Sequence, residues 1–213
     1  MYALISREKT QLTPGTVVRM PGSWEDYCTL CGSRGDSSIP RIKYRAGEVL
    51  LMSPLPKHGR DANILADVVK ALLDRLNRNY EAFTPITMAL QEVGGIEPDY
   101  CFYIDNWQAI VGRDRLQWGI DLPPDLVIEI DVTTYTDAND YLLYGVPEVW
   151  LLKKNQLKIH VLRESEYHLQ DASRYFPDID LQAIVTSCLQ AASERGTGVA
   201  IRELRQRLSD DVL

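Results

Sequence analysis

The stretch "PPDLVIEIDVTT", residues 123–134, sets acids into a run of strand formers. Val and Ile suit a pleated, half-buried surface, whereas Asp is depleted from strands. At the two-residue period of a strand, Asp125, Val127, Glu129 and Asp131 share one face. Leu126, Ile128, Ile130 and Val132 take the other. Two readings stand: a half-solvated strand, or carboxylates gathered at a site. Pro123-Pro124 fixes an extended entry that aims Asp125 at solvent, so Asp125 reads as a boundary residue and not a ligand.

Upstream, "EPDYCFYI" (97–104) places Glu97 and Asp99 at the start of an apolar and aromatic strand. Neighbouring strands lie about 4.8 Å apart, so Asp99, Glu129 and Asp131 can converge at a sheet edge. Like charges that close destabilise one another unless a cation neutralises them. A hard divalent ion, Mg²⁺ or Mn²⁺, suits such an oxygen set, activates water and stabilises charge on a phosphate. The competing reading is a strand end whose acids are simply solvated.

The rest of the chain supplies a scaffold. "GSWEDYCTLCGSRGD" (22–36) predicts a short helix with Ser23 as N-cap. "RIKYRAGEVLLMSPLP" predicts a hairpin, with strands at 41–45 and 48–53 about an Ala46-Gly47 turn. From Arg60 to Tyr80, Ile64, Leu65, Val68, Val69, Leu72, Leu73 and Leu76 recur at helical spacing. "EAFTPITMALQEV" and "IEPDYCFYI" each predict one strand, and "DNWQAIVGRDRLQWGIDLP" an irregular excursion. A strand at 125–132 and a short helix ending at Gly145 follow. Residues 147–170 predict two or three antiparallel strands turning at Lys154-Asn155, and helices are expected near 180–192 and 199–209. The result is one α/β domain of α+β type: a mixed sheet flanked by helices. A helical extension (1–39) precedes the core (40–170), and a helical tail (171–213) follows it.

With 23 basic against 30 acidic residues, the net charge of −7 supplies no global pull toward nucleic acid. No stretch approaches the roughly 18 apolar residues of a membrane span, and the N-terminus lacks the pattern of a signal peptide. The expected location is the cytosol. Cys28 and Cys31 form a lone CxxC without finger-like partners, so packing beside Trp24 and Tyr27 is favoured over zinc or thiol exchange.

"EPDYCFYI", "PPDLVIEIDVT" and "GVPEVWLL" occur in that order after "RIKYRAGEVLLMSPLPKHG". Together they resemble the Uma-type family of restriction-endonuclease-like proteins, within the PD-(D/E)XK nuclease superfamily. The resemblance covers residues 40–170, with an echo in "RYFPDIDLQAIV". It implies metal-dependent hydrolysis of phosphodiester bonds in DNA, with Mg²⁺ or Mn²⁺ as cofactor. Asp99 matches the aspartate of the "PD" element, and Glu129 the acid of the (D/E)XK element. Glu48 matches an acid that often completes the metal shell, and His58 a histidine after the "SP" turn. The departure is Asp131, which stands where the pattern has lysine, and no lysine occurs between Thr133 and Val146. A lysine there helps to position the attacking water or to stabilise transition-state charge. The catalytic set implied is therefore Glu48, His58, Asp99, Glu129 and Asp131, with the four acids as metal ligands. The alternative is an inactive binding module of the same fold.

Arg41, Lys43 and Arg45 put three cations on one strand face, for phosphate contact or, the favoured reading, as an ordinary solvent face or a charged edge that blocks aggregation. His160 and His168 read as structural. Trp107, Trp118 and Trp150 read as core or dimer contacts. The apolar "YLLYGVPEVWLL" segment and the family's habit point to a homodimer.

Overall fold

The computed structural model describes residues 12–35, 37–131 and 136–210. Contacts divide the chain into two compact units, one running up to Pro56 and including Pro85–Glu97, the other comprising Lys57–Thr84 and the chain from Pro98 onward.

The first unit holds strands β1 (Val17–Pro21), β2 (Arg41–Arg45) and β3 (Glu48–Met52), with helix α1 (Trp24–Arg34) between β1 and β2. The segment expected to be helical thus also carries a strand, β1, which pairs antiparallel with β3. Ser23 caps α1 as expected: its hydroxyl accepts from the Asp26 N–H at 3.1 Å, and the Asp26 carboxylate accepts from the Ser23 N–H at 2.7 Å. The β2–β3 hairpin turns through Ala46 and Gly47, at φ of 49° and 82°, as a two-residue loop of matching twist requires. Tyr27, Ile42, Val49 and Leu51 form the core of this unit, with Trp24 and Cys31 packed against it.

Two segments expected as single strands are each broken by a proline, which offers no N–H to a ladder. "EAFTPITMALQEV" divides around Pro85, and "IEPDYCFYI" divides at Glu97-Pro98. Met88–Leu90 and Gly94–Ile96 complete the sheet of the first unit; Glu81–Phe83 and Tyr100–Tyr103 belong to the second. In chain order these four strands are β4 (Glu81–Phe83), β5 (Met88–Leu90), β6 (Gly94–Ile96) and β7 (Tyr100–Tyr103). Glu97 turns back into the first unit, where Arg34 donates to it at 2.7 Å, Thr87 at 3.0 Å and the Ile42 N–H at 3.2 Å.

The second unit contains α2 (Pro56–Arg75) from Lys57 onward, β8 (Leu126–Asp131), a 3₁₀ turn at Ala138–Tyr144, β9 (Glu148–Lys153), β10 (Gln156–Arg163) and β11 (Glu166–Gln170). Helices α3 (Leu181–Arg195) and α4 (Thr197–Ser209) follow. Its sheet runs β11-β10-β9-β8-β7-β4, and β8 pairs with β9 in parallel while the sheet's other neighbouring strands are antiparallel. The mixed sheet flanked by helices is therefore as the sequence predicts. The apolar stripe of α2 packs on Phe102, Leu126, Ile128, Ile130, Trp150 and Leu152, together with residues of α3 and α4.

With a strand on either side, β8 is buried along its whole length, so it is not a half-solvated strand. The expected last residue of that strand, Val132, lies outside the described residues. Asp125 also departs from expectation: it is buried, not aimed at solvent. Its carboxylate accepts from the N–H groups of Ile104, Asp105 and Asn106 at 2.7, 2.9 and 3.2 Å. The chain leaving β7 has donors to satisfy there, and an acid at position 125 satisfies three of them at once. Among the described residues, no helix is long and apolar enough to cross a membrane.

Candidate active site on the central strands

The antiparallel register of β7 and β8 pairs Tyr100 with Ile128. One step beyond, the same register sets Asp99 opposite Glu129, so the two carboxylates start from neighbouring backbone positions on one face. Asp99 follows Pro98, and its side chain extends the ladder: Oδ2 accepts from the Ile130 N–H at 2.8 Å. The Thr84 hydroxyl donates to the Asp99 carbonyl at 2.6 Å, so backbone and side chain are both held.

His58 lies in the first turn of α2, which Pro56 opens with the φ a helix needs. Both His58 and Asp99 are buried, and His58 Nε2 is 2.7 Å from Asp99 Oδ1. A carboxylate only accepts, so the Nε2 proton points to Asp99. Glu129, buried on β8, accepts from the hydroxyl of Tyr141 in the 3₁₀ turn. Burial, then the charge of Glu129 and its hydrogen bond, then the charges of Asp99 and Asp140, push the Tyr141 phenol well above its ordinary range. Tyr141 therefore remains a neutral donor, and it senses both strand carboxylates.

Asp131 is placed differently. The parallel register of β8 and β9 pairs it with Lys153, whose Nζ lies 2.9 Å from Asp131 Oδ2. The Asp131 side chain is fully enclosed, whereas that of Lys153 is 29% exposed. By strand alternation Asp99, Glu129, Asp131 and Lys153 share one face of the sheet.

Glu48 belongs to the first unit, where it is exposed and paired with Arg19 of β1. Trp150 is core, as expected; its indole N–H donates to Glu148. Trp107 and Trp118 are partly exposed. Cys28 is exposed and Cys31 half-buried, both as thiols, with the Cys31 thiol pushed up by burial first of all. Burial likewise lowers His160.

Two functional candidates escaped the sequence reading. Tyr141 carries no motif signal until the 3₁₀ turn is seen to lie over Glu129. Lys153 ends "EVWLLK" and aligns with Asp131 only once β8 and β9 are known to be parallel.

Among the described residues, no group of three or more His, Cys, Asp or Glu side chains is arranged to hold a metal ion. A cation here would have to rely on fewer protein ligands. Mg²⁺ characteristically does so, binding through one or two carboxylates and keeping several waters. Asp99 and Glu129 offer such a pair, so the donor set fits that ion; Asp131 already has an ammonium partner.

A family model described as "Putative restriction endonuclease", Uma2, matches residues 24–192. Among solved structures, a "putative nuclease belonging to DUF820" from Anabaena variabilis is similar with a TM-score of 0.55 and 18% identity. The match covers 79% of this chain and 99% of that one, and it shows a shared fold. No curated protein matches. The match over residues 24–192, around the paired acids Asp99 and Glu129, makes this chain a member of the Uma2 family, with the nuclease fold its sequence announces.

Proposed function

We propose that the protein is a Mg²⁺- or Mn²⁺-dependent endonuclease that hydrolyses phosphodiester bonds of DNA. The observation that carries this reading is the pairing of two buried carboxylates, Asp99 and Glu129, across adjacent strands, each with its own protein donor. Burying two acids side by side is costly unless hydrogen bonds, a proton or a cation offsets their charge, and a divalent ion does so. Asp99 and Glu129 would hold the ion, which when bound lowers the pKa of a water and stabilises charge on the phosphate. His58 and the Ile130 N–H fix the Asp99 carboxylate, and Tyr141 fixes Glu129. Such supporting hydrogen bonds orient ligands and are typically worth tenfold to a hundredfold in affinity or activity.

The test is cleavage of plasmid DNA by purified protein with Mg²⁺ or Mn²⁺, beside calorimetric titration with Mn²⁺. Wild type should cut and bind the ion; Asp99→Ala should do neither, and Glu129→Ala should lose ion binding. Equal inertness of wild type and Asp99→Ala across DNA forms and metals would overturn the enzymatic reading in favour of an inactive module.

A further inference from the structure

We propose that Lys153 is the residue that contacts the DNA phosphate, with Asp131 as its positioning partner and not a metal ligand. This rests on the reading above and extends it to the residue whose place in the pattern Asp131 occupies. Three observations converge on it. The β8–β9 register sets Lys153 directly beside Asp131, on the face that carries Asp99 and Glu129. The ammonium lies 2.9 Å from an Asp131 carboxylate that has no solvent exposure, whereas the lysine side chain keeps 29% of its own. A fully enclosed carboxylate paired to a lysine restrains the cation, while part of the lysine side chain stays within reach of solvent. Finally, a chain of net charge −7 needs a local cation wherever it meets a polyanion, because nothing global attracts one.

The chemistry follows from position. Asp131 removes much of the freedom of a long side chain, so its ammonium is preorganised before a phosphate arrives. A cation fixed on the face of the paired acids stabilises negative charge growing on the phosphoryl oxygens, and removing one such donor commonly costs about 10²- to 10³-fold in kcat.

The experiment measures anisotropy of a labelled short DNA duplex over a range of salt, in Ca²⁺ and in EDTA. The proteins are wild type, Lys153→Ala, Lys153→Arg and the double variant Lys153→Ala/Asp131→Asn. Lys153→Ala should weaken binding about tenfold at low salt and lower the slope of log K against log salt by about one, the mark of one lost phosphate contact. Lys153→Arg should restore the slope. The double variant removes both members of the pair, so an enclosed, uncompensated carboxylate cannot account for its behaviour; it should show the same lost contact as Lys153→Ala. Mn²⁺ titration of Asp131→Asn should give an affinity within about threefold of wild type, far from the loss in Asp99→Ala, since the Asp131 carboxylate is paired with Lys153 and not with the ion or its ligands.

Wild-type affinity and slope in Lys153→Ala, or their return in the double variant, would overturn the proposal, as would a wild type that binds no duplex in either buffer. Loss of Mn²⁺ binding in Asp131→Asn equal to that in Asp99→Ala would overturn the assignment of Asp131. A wild type that binds duplex through Lys153 yet cuts nothing would remove the hydrolytic reading alone and leave the phosphate contact standing.

Discussion

Tyr141 shows how much a single side chain decides. Its hydroxyl donates a hydrogen bond to the buried Glu129 carboxylate. Tyr141→Phe keeps the ring and takes one hydrogen-bond donor away from a buried carboxylate. The expected cost is about 1–3 kcal/mol of stability, measured by denaturant unfolding. Because Glu129 also loses its orientation, Mn²⁺ affinity should fall about tenfold or more. At this scale the sequence was informative where a residue type is rare in its setting. Acids in an Ile/Val run marked Glu129, and a proline-led acid marked Asp99. Tyr141 is an ordinary residue in an ordinary place, and it acquires a role only from what folds beneath it.

At the scale of elements, the sheet of the first unit depends on a close approach. A Cβ at Gly95 of β6 would lie 2.3 Å from Tyr27 Cζ and 2.4 Å from its hydroxyl oxygen. Tyr27 is itself a core residue, so it cannot move aside without cost. Gly95→Ala should therefore destabilise by about 1–3 kcal/mol, read as a lowered midpoint in chemical denaturation. The periodic helices were legible because repetition over many residues outweighs local noise, as in α2. The strands were legible in type but not in allegiance. Pro85 and Pro98 cut two apparent strands into four, and each half joined a different sheet. A proline in the sequence announces a break, but not where the next segment goes.

At the scale of the whole molecule, Glu148 ties the chain after β11 to the central sheet. It is fully buried and accepts from Trp150 Nε1 at 2.6 Å, Ser173 Oγ at 2.5 Å and the Arg174 N–H at 2.9 Å. Glu148→Ala leaves three donors without that acceptor and should cost about 2–4 kcal/mol. Burial raises the Glu148 carboxyl above its ordinary 4.5, so its contribution is fully present below that pH and is lost as pH rises through the raised value. The stability gap between wild type and variant should therefore narrow from acid toward neutral pH, and unfolding curves at several pH values check it. What the sequence determined by itself was the class of fold, the amphipathic helices, the hairpin and the presence of acids at Asp99 and Glu129 within strand-forming segments, because each is written in short-range periodicity or composition. Only the tertiary structure decided that β8 is buried on both faces, that Asp125 serves the backbone, and that Lys153 meets Asp131. Those facts depend on which strands become neighbours and in which direction they run, and no local pattern in the chain encodes that.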